Sequence, residues 1–379
     1  QARLIKPGQE EIQLWTADYK IAKEQILNWY NGVTKQIAEE VNVKLTPEER
    51  SLLSENRLIN KDAYDAYLQG RMYWDDLSKE GLEKAIDYLT VAIEKDPTWA
   101  PSYSGLGAVW GGLMQMGFVS PEIAMPIIHE NMNKALELDP NIADLHFTNA
   151  TFGVWVDWNW ELGEDEFKKA LAINPNDALS RIYYAHLLAI LQRFDEAMIQ
   201  GQIAVEIDSK NPLVLALFAP VLMSVGKYDE ALRYLDSALE IDPGNFFALG
   251  VYNVVAYRCN EYEKAFNSLK MVMPLKDPIK QQIDGIFREQ GIKAAIKEYL
   301  DQMELKAQKE YVGCFDLAPY YNLLNQNDKV LDWLETGLEM HDPNIPYITT
   351  GFFSSDQLRD NPRYIAILEK MNLPLPKTD

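Results

Sequence analysis

Basic side chains are in short supply in this sequence: 36 lysines and arginines stand against 57 acidic residues, a net charge of -21 over 379 residues. A surface of that sign repels a phosphate backbone, so binding of nucleic acid by this chain alone is not expected. Cysteine is nearly absent. Cys259 and Cys314 are too few for a disulfide framework and sit at no metal-ligand spacing, which points to a reduced compartment, with a single structural bridge as the alternative. His129, His146, His186 and His341 lie far apart and share no motif with cysteine or carboxylates, so neither a metal nor a cofactor is expected. The longest apolar run, residues 213–225, contains Pro220 and Ser224 and falls short of the roughly 20 residues of a membrane span. It reads instead as a buried helix. No signal peptide is visible and the first residue is Gln1, so the expected location is the cytoplasm, or the soluble region of a protein anchored by an upstream segment. G-x-S-x-G, H-E-x-x-H and the phosphate-binding G-x-x-x-x-G-K-[ST] are all missing, and no enzyme is expected.

What the sequence does have is a period. Phe194, Tyr228 and Tyr262 are spaced by 34 residues, and the same spacing links Ala197, Ala231 and Ala265, then Met198, Leu232 and Phe266. Gly201, Leu235 and Leu269 follow, then Ala204, Ala238 and Val272, then Val205, Leu239 and Met273. A 34-residue period with small residues at fixed places is that of the tetratricopeptide repeat (TPR), a helix-turn-helix unit that stacks into a right-handed superhelix. The small residues let two backbones approach at the crossing of the paired helices, and the aromatics fill the groove beside it.

Residues 1–60 lie outside the register. Arg3, Leu4 and Ile5, the turn-forming Lys6-Pro7-Gly8-Gln9, and the alternation leading to Trp15 predict a short β-hairpin. A helix is expected over residues 21–41, and Thr46 with Pro47 and Glu49 reads as the cap of another. About eight helical pairs then fill residues 61–343, punctuated by Asp96-Pro97, Asp139-Pro140, Asn174-Pro175 and Asp342-Pro343, because a proline ends one helix and starts the next. Pro121 and Pro126 predict an extended loop over residues 117–126 inside the second pair. Residues 344–379 are expected to cap the solenoid, with an extended patch at Tyr347-Ile348-Thr349-Thr350 and a last helix from Asn361-Pro362.

Taken together, the opening Ala2-Arg3-Leu4-Ile5 with Leu14-Trp15-Thr16-Ala17-Asp18-Tyr19, the run from Val43 to Glu49, Tyr67-Leu68-Gln69-Gly70-Arg71, the Asp157-Trp158-Asn159-Trp160 turn and the closing stretch from Asp356 to Tyr364 carry a family resemblance. Over nearly its whole length the chain resembles the C-terminal TPR region of bacterial signalling proteins, where it follows a class III nucleotide cyclase, a winged-helix DNA-binding domain or a kinase. The resemblance implies a non-catalytic interaction module separated from its output domain, with the hairpin as the remnant of an upstream α/β domain. It also implies that the concave groove is lined by the first helix of each pair, at Leu179, Ile182, His186, Met223, Phe247, Val254 and Tyr257. That face is apolar and lacks the Lys, Arg and Asn of a carboxylate clamp. Either another part of the chain or a second protomer fills it, or it takes a protein or peptide partner by apolar anchors, with the acidic rims selecting a basic one. Two further readings stay open: a ligand-sensing region with a closed pocket near Trp110, Trp155 and Trp158, and a homodimer paired through the hairpin. Trp158 and Trp160 are read as packing for the lengthened third pair.

Overall fold

A computed structural model describes residues 2–6, 12–17, 33, 60–74, 77–139, 143–353 and 356–376. From Lys61 onward the described chain is all-helical, and the helices pair as the period requires. The pairs are α1 (Lys61–Trp74) with α2 (Lys79–Lys95), α3 (Ala100–Gln115) with α4 (Pro121–Leu138), α5 (Ala143–Trp155) with α6 (Trp160–Ile173), and α7 (Ala178–Ile190) with α8 (Phe194–Ile207). They continue as α9 (Pro212–Ser224) with α10 (Tyr228–Ile241), α11 (Phe246–Arg258) with α12 (Tyr262–Val272), α13 (Asp277–Gln290) with α14 (Ile292–Ala307), and the short α15 (Ala318–Leu323) with α16 (Asn327–Glu339). Two further helices, α17 (Asp356–Arg359) and α18 (Pro362–Lys370), close the chain. Near its start, β1 (Ala2–Lys6) lies antiparallel to β2 (Ile12–Ala17), with Leu4 opposite Trp15. The helix expected over residues 21–41 and the Thr46 cap lie outside the described residues.

Local chemistry explains why the pairs repeat so cleanly. Gln192, Gly226 and Asn260 sit 34 residues apart, each with positive φ (57, 74 and 62°), so the turn within a pair needs one left-handed residue. Gly226 and Asn260 supply it at low cost. After the second helix, Asp96, Asn174 and Asp242 each accept a hydrogen bond from the backbone N–H two residues on, at 3.2 Å in all three. The recurrent Asp/Asn-Pro therefore does two things: the side chain folds the exit turn and the proline bars the helix from continuing. At the next entry Asp177, Asn211 and Asn245 cap α7, α9 and α11 through their side-chain oxygens. Ala197, Ala231 and Ala265 at the crossings are buried to 2% exposure or less, which is where a larger residue would force the helices apart.

Two expectations are corrected. The second pair has no ten-residue loop: α4 already starts at Pro121, and Pro126 lies inside it. Pro121 falls in the first turn, where an N–H has no partner to lose, and Glu122, whose carbonyl Pro126 leaves without its helical donor, is exposed. The patch expected to be extended at Tyr347 is a 3-10 turn, Ile345–Thr349, started by Pro346 in its first turn. Cys259 and Cys314 are both free.

Candidate partner-binding groove

The fifth pair's first helix, α9, shows the environment of the expected groove. Every residue from Leu213 to Met223 is buried, so the helix has no polar face at all. A helix that is apolar all round must be covered on all sides. Neighbouring helices cover most of α9, and the C-terminal segment, residues 343–353, reaches it at Gly351.

This tail is laced to the concave face by side-chain bonds along its length. The ring of His341 stacks on Trp158 at 3.7 Å, and its Nε2 lies 2.6 Å from the Val156 carbonyl. Asn344 Nδ2 donates to Gln115 O at 2.8 Å. Thr349 Oγ1 donates to Ile190 O at 2.7 Å, and Asn322 Nδ2 to Phe352 O at 3.0 Å. Gly351 passes so close to α9 that an added Cβ would fall on the backbone of Met223. Beyond the tail, α18 packs near α16, where Arg363 meets both Glu335 and Asp332 at 2.7 Å. The chain then reaches back to the third and fourth pairs, where Trp160 Nε1 donates to Met371 O and Gln192 Nε2 to Pro374 O, each at 2.9 Å. Ile345, Ile348 and Phe353 are fully buried. At about 1.5–3 kcal/mol for each such side chain, their burial is a large term in holding the segment down.

His186 anchors the centre. Its Nε2 lies 2.6 Å from the Leu217 carbonyl and its Nδ1 2.8 Å from the Tyr347 hydroxyl. A carbonyl only accepts, so Nε2 carries the proton and Nδ1 accepts from Tyr347, which makes the ring neutral. Burial pushes its pKa down to about 4, only partly offset by the bond to Leu217.

Of the seven expected groove residues, His186 and Met223 meet the tail directly, Phe247 and Val254 share a cavity with it, and Leu179 lines a cleft that it leaves open. Ile182, His186, Met223 and Val254 are buried at 3% exposure or less. Leu179, Phe247 and Tyr257 are half-buried, and the Tyr257 hydroxyl donates to Leu323 O at 3.3 Å. Trp158 and Trp160 pack on the C-terminal segment, not on their own pair alone. Sequence reasoning allowed that another part of the chain fills the apolar face but did not name the residues, which include Tyr347 and Phe352. Ahead of the tail a cleft of about 200 Å³ remains between α1, α3, α5 and α7, walled by Arg71, Trp74, Ala108, Phe147, Asn174 and Leu179. Among the described residues, no group of three or more His, Cys, Asp or Glu side chains could hold a metal ion, and no helix is long and apolar enough to cross a membrane.

No family model and no curated protein matches this sequence. Solved structures do. A human IFIT1 dimer with PPP-AAAA is 16% identical, with 83% of this chain and 81% of that one covered at a TM-score of 0.50. Yeast Tom70 is 16% identical over 82% of this chain and 63% of its own, with a TM-score of 0.43. YrrB, described as a TPR protein with an unusual peptide-binding site, is 23% identical over 50% of this chain and 90% of its own, with a TM-score of 0.30. At these identities the likeness is one of fold, and the fold is a TPR α-solenoid.

Proposed function

We infer that this chain is a non-catalytic protein-binding module of a bacterial signalling or regulatory protein, and that its partner enters the open half of the concave face between α1 and α7. One observation carries the reading: the inner face of the fourth to sixth pairs is occupied by the chain's own tail, while the cleft beside Ala108, Phe147 and Leu179 is not. A free peptide gains about 8 kcal/mol at micromolar affinity, roughly what burial of Ile345, Ile348 and Phe353 alone supplies to the tail. Competition at His186 and Met223 therefore favours the resident segment, which has no translational entropy to lose. The net charge of -21 favours a basic partner and speaks against a polyanionic one.

The cleft is tested by affinity capture from the native source with two variants. Ala108→Arg, which fills the cleft, should lose the partner, and Phe247→Ser, on the tail-covered side, should keep it. Loss with Phe247→Ser and retention with Ala108→Arg would move the binding surface to the other half.

A further inference from the structure

Where the tail crosses the sixth and eighth pairs, it does not fill all the space. A partly open cavity of about 160 Å³ remains, walled by Phe247, Phe315, Tyr320, Tyr347 and Phe352, with Asp316 as its carboxylate. Apolar cavities of about 150 Å³ accept a guest the size of benzene, so six or seven heavy atoms fit. The aromatic walls are ordered: Phe315 meets Phe352 edge-on at 5.6 Å and Tyr347 edge-on at 6.2 Å.

The charge is lopsided. No lysine or arginine lines the cavity. Asp316 Oδ2 accepts from the Gly313 N–H at 3.1 Å, and among the described residues no donor meets its second oxygen. The neighbouring Asp342 adds a second carboxylate, but its oxygens are taken by the N–H groups of Cys314 and Asn344, both at 2.8 Å. His186, also in the wall, is neutral with both nitrogens bonded. Aromatic faces present the negative side of their quadrupole, so rings and carboxylate together favour a positive charge that carries its own apolar surface. A hydrated metal ion finds a single carboxylate among neutral amide and hydroxyl oxygens here, and an anion is repelled.

We propose that this cavity binds a small organic cation, an alkylammonium of choline size, with its charge beside Asp316 and its methyl groups against Phe315, Tyr347 and Phe352. Burial and the nearby Asp342 carboxylate raise the Asp316 pKa to about 7, with the Gly313 N–H and Lys306 offsetting this in part, so a cation seated here draws the carboxyl into its charged form. Because two of the rings belong to the tail, the cation holds the tail in place and stabilises the closed form.

The test is calorimetric titration of the full chain with choline and with its uncharged isostere 3,3-dimethylbutan-1-ol. Choline should bind one to one and at least tenfold tighter than the isostere. Asp316→Asn should weaken choline at least tenfold and leave the isostere unchanged. Gly250 lines the same cavity, and a Cβ built there meets nothing within 4 Å, so Gly250→Leu should fill the space and abolish both. No choline binding to the wild type, equal affinity for choline and isostere, or undiminished choline binding by Gly250→Leu would each overturn the proposal. Should Asp316→Asn fail to fold, the isostere comparison and Gly250→Leu still decide it.

Discussion

His186 Nδ1 and the Tyr347 hydroxyl lie 2.8 Å apart, 161 residues distant in the chain, and this bond joins the floor of the groove to the segment that fills it. Tyr347→Phe keeps the ring but leaves a buried nitrogen without its donor. The expected cost is about 1–3 kcal/mol in urea unfolding. Tyr103→Phe, which loses an exposed bond to Pro97 O, should cost no more than about 0.5 kcal/mol. Equal losses would mean that the His186 bond is not buried in solution.

The same histidine gives the fold a pH dependence. Its native pKa, about 4, lies below the ordinary 6.5, so between those values the unfolded chain binds the extra proton and stability falls as the solution is acidified. The full loss is about 3 kcal/mol. Asp316 acts in the opposite sense. Its native pKa is raised from 3.8 to about 7, so its contribution is present below pH 4 and is lost as pH rises through 7. The difference in melting temperature between Asp316→Asn and wild type should therefore grow in favour of the variant from pH 4 to pH 7. A difference constant across that range would contradict the raised pKa of the half-buried carboxyl.

Two glycines facing the groove should answer oppositely to alanine. Gly250→Ala removes a helix-weakening residue from α11 and puts its methyl into open space, so it should stabilise by up to about 1 kcal/mol. Gly351→Ala drives a methyl into the Met223 backbone and should destabilise by about 1–3 kcal/mol, with the tail loosened. Thermal denaturation of both variants measures the contrast. Stabilisation of both would mean that the tail does not lie against α9.

Much of the architecture was legible because its causes are local. The spacing of Ala197, Ala231 and Ala265 sets the crossings, and the Asp/Asn-Pro pairs set the exits. Pro126 misled because a single proline in the second turn of a helix can be accommodated where the freed carbonyl belongs to an exposed residue. The groove was legible only in part. His186 and Met223 were placed on the inner face, yet both are met by a segment more than 120 residues away, and no short-range pattern reports such a contact. Asp316 escaped notice among the chain's 57 acidic residues, since its distinction is the ring of aromatics that the closed tail assembles around it.

Amide hydrogen exchange of the full chain tests the central claim most directly. If residues 345–353 are seated in the groove, the bonded amides of Tyr347, Thr350 and Phe353 should exchange as slowly as those of α9, and Tyr347→Phe should speed both together. Exchange of the 345–353 segment within seconds, with α9 protected independently, would show an open groove and contradict the account.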